Sequence, residues 1–472
     1  MVSQPGRRRP DEGAAGEPRR PTAGGDASEG PGLLRGLGVV GATSLVAGTV
    51  IGTGIFVSPS LVADQVAAPG LALLVWGVCG LLALCGGLCY AELGAALPRA
   101  GGQYAYFRRA FGSELVAFLF GWSMFAVVLT GVQAAVATAF AIYAGYFLEG
   151  AVPYGPWQQR LVAVSCIALL AVANVVGVTV GGRIQVLVTV AKVGAVAALV
   201  AAGLWLGPAA PGALAPLLPD DRTGAATLGA FGTAMIVALF AYNGWWYSTY
   251  VAEEVRSPER NVPRSIFAGM GIVLGLYLLA NWVYLRVLPF EALRATERPA
   301  ADAMAALLGP AGGTFIALAV MLSAFGTVNA QMLTIPRIYF AMGRDGGFFR
   351  WVRRIHPRFR TPAWAIGVQA LWAGCLALSG TFRQIVTYTA FPNYFFLSLG
   401  VVALLVLRRR EPDLPRPYRV PLYPWTPLLF LGVFGWYLVN SVVYEPRDTL
   451  VGVALALSGL PVYWWMTWRR ES

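Results

Sequence analysis

Apolar residues fill this chain in long unbroken runs rather than in the stripes of a soluble amphipathic helix. Runs of about 20 residues recur, each long enough to cross a hydrocarbon layer of roughly 30 Å, and about twelve of them lie between residues 36 and 468. Short connectors rich in Arg, Gly, Pro and aromatic residues separate them. The pattern predicts an all-α polytopic membrane protein, since a helix satisfies its own backbone groups in lipid. Spans are expected at residues 36–62, 71–97, 115–148, 161–178, 184–206, 228–251 and 266–287, with five more completing the chain.

Two of these runs are interrupted. Gly48, Gly52 and Gly54 fall within seven positions of the first, and Gly loses more backbone entropy in a helix than other residues. An unwound stretch at mid-membrane depth exposes N–H and C=O groups, which hydrocarbon penalises unless they line a cavity and meet a ligand. Phe240-Ala241-Tyr242-Asn243-Gly244-Trp245 interrupts the sixth run in the same way. Paired breaks in corresponding halves of a chain point to the substrate site of a secondary transporter. Elsewhere, Gly271 and Gly275 in the seventh span suggest a helix-packing face. Ala300 to Leu308 reads as a short amphipathic helix across the outer mouth, and Glu92 as an ion-pairing group at a helix end.

Composition sharpens this picture. Hydrophobic residues make up 57% of 472 and charged residues 12%, so no soluble domain is expected. The net charge of +12 does not point to nucleic acid, because of where the charge lies. With the N-terminus placed in the cytoplasm, 26 of the 35 basic residues fall on the cytoplasmic side and 7 on the outer side. That asymmetry orients the protein with both termini cytoplasmic. Residues 1–31 are too poor in apolar side chains to fold and read as a disordered cytoplasmic tail. The five cysteines all fall within spans and read as buried apolar residues. Neither a metal-spaced cluster nor a cofactor motif is visible, and the single histidine, His356, sits in a basic loop. These absences argue against a membrane enzyme.

Further motifs extend along the chain: GTVIGTGIFVSP, YAELGAALPRAGGQYAYFRRAFG, FAYNGWW with VAEEVRSPERNVPRSI, SAFGTVNAQMLTIPRIYFAMGRDG and RPYRVPLYP. Together they resemble the amino acid–polyamine–organocation superfamily, in its L-type amino-acid transporter branch, over roughly residues 36 to 468. The resemblance implies a LeuT-like five-plus-five inverted repeat with helices 1 and 6 unwound at mid-membrane. Residues 36–206 would form the first repeat, 228–408 the second, and 422–468 two further helices.

It also implies site residues. Amides around Gly52, Thr53 and Gly54 would cradle the substrate carboxylate, and the free N–H groups of a half-helix agree with that role. Carbonyls near Val50 and from Phe240 through Ala241 to Asn243 would accept the α-ammonium. Phe240 would act as an aromatic gate and Tyr247 would line the pocket. Lys192, the chain's only lysine, lies about 13 Å along a helix from the cytoplasmic edge, where a cation needs a cavity or carbonyl partners. The resemblance places it where sodium-coupled relatives hold a sodium ion, donating to carbonyls near Gly48 and making transport sodium-independent.

The loop at residues 149–159 lacks the cysteine by which eukaryotic members bond a heavy chain, so no disulfide-linked partner is expected. The reading is a sodium-independent exchanger of neutral amino acids in a cell inner membrane, binding a small-molecule substrate and working by alternating access. Proton-coupled transport, cationic amino-acid or polyamine transport, and a non-transporting amino-acid sensor are the alternatives.

Overall fold

The computed structural model describes residue 1 and residues 35–148, 153–208, 213–219, 224–296, 298–379, 382–444 and 446–471; all of the tail at residues 1–31 except Met1 lies outside them. Among the described residues, ten helical segments are long and apolar enough to cross a membrane. They are span 1 (Val39–Val66), span 2 (Pro69–Ala96), span 3 (Glu114–Gly145), span 4 (Pro156–Val176), span 5 (Gly181–Trp205), span 7 (Pro258–Val287), span 8 (Pro310–Arg344), span 10 (Phe391–Arg410), span 11 (Trp425–Val443) and span 12 (Thr449–Trp468). Two shorter apolar helices, Ala226–Ala241 and Ala363–Leu378, take the places of spans 6 and 9. Pro299–Leu308 covers only about 15 Å at helical rise and cannot cross. It follows a second short helix, Phe290–Ala295, and Arg294 there reaches Glu291 and Asp64 near the C-terminal end of span 1.

The helices are not uniform. Span 1 consists of Val39–Val50 and Gly54–Val66, with a non-helical link at residues 51–53. Span 6 stops at Ala241, turns through residues 242–246 and resumes as the short helix Tyr247–Tyr250. Span 8 divides at Ile335, where Pro336 opens its second helix, Pro336–Arg344. Within span 3, Met124–Val128 forms one π-helical turn. Interruptions in the first and sixth spans, five apart, are the order expected of a LeuT-like membrane protein.

Packing places the broken segments at the centre. Span 7 lies against spans 1 and 2, and span 8 lies against spans 1, 3 and 5. The first half-helix of span 1 is buried from Ser44 to Val50. Leu74 and Leu81 on span 2, Leu169 and Val172 on span 4, Leu187 and Val190 on span 5 and Leu371 on span 9 are exposed. A chain in lipid solvates such faces with acyl tails.

At the end of span 2, Glu92 is 1% exposed and takes Arg408 at 2.8 and 2.5 Å, Arg416 at 3.4 Å and the Val420 amide at 2.7 Å. One carboxylate thus ties span 2 to span 10 and to the linker before span 11.

Two sequence expectations need correction. A Cβ at Gly271 or Gly275 would meet nothing within 4 Å, so these glycines do not form a packing face. The close approach occurs at Gly269, where a Cβ would lie 2.6 Å from Val46 of span 1. The inward face is read from helical phase, and Gly269, Val273 and Tyr277 share it while Gly271 and Gly275 do not. The second correction concerns the cysteines: Cys79, Cys89 and Cys166 are buried and Cys85 half-buried, but Cys375 is exposed on span 9.

Candidate functional site

The link in span 1 presents amides. Ile51 N–H bonds Ala47 O at 2.8 Å and Gly52 N–H bonds Val50 O at 2.7 Å. Phe56 N–H turns back to Thr53 O at 3.1 Å. Among the described residues, the amides of Thr53, Gly54 and Ile55 have no acceptor, as the first amides of a helix do not. They open the second half-helix, Gly54–Val66, so its positive dipole end lies at the link.

The turn in span 6 lies directly against this link. A Cβ on Gly54 would sit 2.7 Å from the Cβ of Ala241 and 2.8 Å from its Cα. Only a hydrogen fits between the two breaks. Gly244 has φ +113°, a region open to glycine, and a side chain there would meet Thr49 at 3.0 Å. Thr49 Oγ1 lies 2.7 Å from Leu45 O, 2.9 Å from Val46 O and 3.1 Å from Gly244 O. From span 7, the Tyr277 hydroxyl lies 2.8 Å from Val50 O and 3.3 Å from Ala241 O, bridging the two breaks. The Val50 carbonyl, proposed from sequence as an ammonium acceptor, therefore already has two donors.

Between these segments lies a cavity. All eight residues read from sequence as substrate-binding line it: Val50, Gly52, Thr53, Gly54, Phe240, Ala241, Asn243 and Tyr247. Sequence reasoning missed Thr49 and Gly244 within the breaks, Val132 and Val136 of span 3, and Thr327 and Gln331 of span 8. The two valines follow the π-helical turn, a feature frequent at functional sites but without a signature in sequence. None of the lining side chains carries a charge.

Lys192 lies behind the link, fully buried. Its ammonium donates to Gly48 O at 2.7 Å, Ile51 O at 2.8 Å and Thr327 Oγ1 at 2.8 Å, which accounts for all three protons. Ser323 Oγ adds a second donor to Ile51 O at 3.0 Å. A buried cation needs such a shell, because each unmade bond to a charged group costs more than one to a neutral group. Spans 5 and 8 thereby hold the end of the first half-helix of span 1. Gly48 serves the contact twice, since its carbonyl receives the lysine and a Cβ there would lie 2.2 Å from Gln185 and Thr189 of span 5.

The family model described as "Amino acid permease" matches residues 37–466. The serine/threonine exchanger SteT of Bacillus subtilis is 31% identical over 448 residues, covering 94% of this chain and all of that protein. The human "Large neutral amino acids transporter small subunit 2" is 33% identical over 451 residues, 93% of this chain and 82% of the relative. The human cystine/glutamate transporter is 29% identical over 442 residues, 93% of this chain and 85% of the relative.

Proposed function

The chain belongs to the amino acid permease family, and from that premise we propose that it is a secondary-active, sodium-independent exchanger of neutral amino acids working by alternating access. The observation that carries this reading is the Lys192 ammonium, bound to Gly48 O, Ile51 O and Thr327 Oγ1 behind the cavity shared by the two breaks. A fixed cation in that niche supplies the positive charge that would otherwise have to come from a bound ion. Transport then needs no sodium.

In this reading the free amides of Thr53, Gly54 and Ile55 receive the substrate carboxylate, where a helix N-terminus favours an anion. Carbonyls of the turn from Phe240 to Asn243 receive the α-ammonium, and half-buried Phe240 closes over it. An uncharged lining favours a neutral substrate side chain, because a cationic one would enter without a counter-charge. The names of the relatives, a serine/threonine exchanger and a large neutral amino-acid transporter, agree with that class. The basic asymmetry supports cytoplasmic termini in an inner membrane. The absence of cysteine at residues 149–159 supports operation without a disulfide-linked heavy chain.

The test is radiolabelled alanine, serine or leucine uptake into proteoliposomes of purified protein in sodium-free buffer, with and without unlabelled amino acid inside. Uptake that rises with internal amino acid is the expected result. Uptake indifferent to internal substrate, or requiring a sodium or proton gradient, overturns the exchange mechanism; binding without flux makes the protein a sensor.

A further inference from the structure

Span 8 reaches the cavity through Thr327 and Gln331, one helical turn apart on one face. Thr327 is engaged with Lys192. Gln331 is not absorbed by the mechanism above. It is 2% exposed, and its side-chain oxygen, Oε1, has no hydrogen-bond partner. Its side chain reaches the hydroxyl of Tyr247, which lines the same cavity.

The surroundings hold Gln331 in place rather than satisfy that oxygen. Gln369 of span 9 donates from Nε2 to Gln133 Oε1 of span 3 at 2.9 Å, and the same nitrogen lies 3.5 Å from the Gln331 backbone carbonyl. Across the cavity, Asn243 Oδ1 receives Asn393 Nδ2 at 3.4 Å. The walls contributed by Val132, Val136 and Ala241 are apolar. A buried amide oxygen without a donor costs about 1–3 kcal/mol, a penalty that a ligand carrying a donor relieves and an apolar ligand does not.

We propose that Gln331 is a specificity-determining residue whose Oε1 accepts a hydrogen bond from the substrate's side-chain hydroxyl, so that small hydroxyl-bearing amino acids are favoured over apolar ones of the same shape. This rests on the cavity being a neutral amino-acid site. Threonine and valine are the discriminating pair, because they differ only by a hydroxyl in place of a methyl. Valine would leave the buried oxygen unpaired, whereas threonine would pair it. A site built in this way rejects the analogue that lacks the donor.

The experiment is titration calorimetry of L-threonine and L-valine on the purified full-length protein, wild type and the variants Gln331→Leu and Gln331→Met, with exchange of the same two substrates in proteoliposomes. The wild type is expected to bind threonine at least about tenfold more tightly than valine, the ratio that one buried hydrogen bond supports. In either apolar variant the ratio falls to within about twofold, chiefly through weaker threonine binding. A wild-type ratio near one, or a folded variant that keeps the full preference, overturns the role of Gln331. Exchange of both amino acids with a ratio near one does so while leaving the neutral-exchanger reading intact. A wild type that binds and exchanges neither overturns both.

Discussion

Arg337 and Glu254 form a bidentate ion pair closed to solvent, with Nε 2.7 Å from Oε1 and Nη2 3.1 Å from Oε2, and side chains 0% and 1% exposed. The pair joins the second helix of span 8 to the turn after span 6. Glu254 also gives its backbone carbonyl to Leu37 N–H at 3.1 Å, and Arg256 N–H returns to Leu37 O at 2.8 Å. The segment entering span 1 is thus strapped to the exit of span 6 beneath the cavity, and Arg337 clamps that strap from span 8. One neighbour reinforces it, since Glu253 receives the Ala100 amide at 3.0 Å and Arg344 Nη1 at 3.1 Å.

Removing one partner of the buried pair leaves the other charge uncompensated, which costs about 3–5 kcal/mol, whereas replacing both by apolar groups costs much less. Glu254→Leu and Arg337→Met are each expected to lower the melting temperature sharply in detergent. The double variant should recover most of the loss. A double-mutant thermal-melting series checks this, and additive single losses would show that the two side chains act independently.

Gly54 and Gly52 separate steric contact from glycine content. A methyl at Gly54 would overlap Ala241 at 2.7 and 2.8 Å, while one at Gly52 would meet Thr327 Oγ1 at an ordinary 3.5 Å. Forcing the breaks apart costs about 1–3 kcal/mol, so Gly54→Ala should weaken substrate affinity by about 5- to 150-fold. Gly52→Ala is expected to have the smaller effect. Substrate titration of both variants decides it, and equal losses would mean that close approach of the two breaks is not what Gly54 provides.

The first break was legible because three glycines within seven positions weaken a helix, the second because Asn243-Gly244 interrupts an apolar run, and Lys192 because a cation deep in a span demands partners. The partners themselves were not legible. Ser323, Thr327, Gln331 and Tyr277 are ordinary constituents of membrane helices until the phase and register of spans 7 and 8 against span 1 are known. Val132 and Val136 carry no chemical signal at all. Arg337 lies among the apolar residues of span 8, but Glu254 sits in a turn full of charges, and nothing in the spacing of 83 residues pairs them. Gly271 and Gly275 show the opposite failure, a familiar spacing on the wrong face of its helix.

At the polar face, Arg109 forks onto Glu411, with Nε 3.0 Å from both oxygens and Nη2 2.7 Å from Oε2. The guanidinium's hydrogen bonds hold the Glu411 carboxyl below its usual value of 4.5. A carboxyl whose folded value is depressed contributes stability above its unfolded value and loses it as pH falls through the folded one. The pair is largely solvated, so the contribution is below about 1 kcal/mol and screened by salt. Melting curves from pH 6 to pH 3 should show Glu411→Gln losing a small salt-sensitive component of acid destabilisation. A variant with the wild-type pH dependence would remove Glu411 from that account.

Lys192 offers the sharpest test of how the break is held. Lys192→Met keeps most of the stem's apolar volume and deletes the three donors to Gly48 O, Ile51 O and Thr327 Oγ1. Each hydrogen bond from a charged donor contributes about 1.5–3 kcal/mol, so losing even one of the three in effect should slow exchange by about tenfold or more. Sodium should not restore the rate, because the methionine side chain fills the space that an ion would need and its soft thioether is a poor ligand for a hard cation. Lys192→Arg must fit a planar fork where three diverging donors now sit, so it too should fall short of wild type. Sodium-free exchange assays on folded variants measure this directly. A Met variant that exchanges at the wild-type rate would mean that the two half-helices of span 1 keep their places without the ammonium, and that sodium independence has another origin.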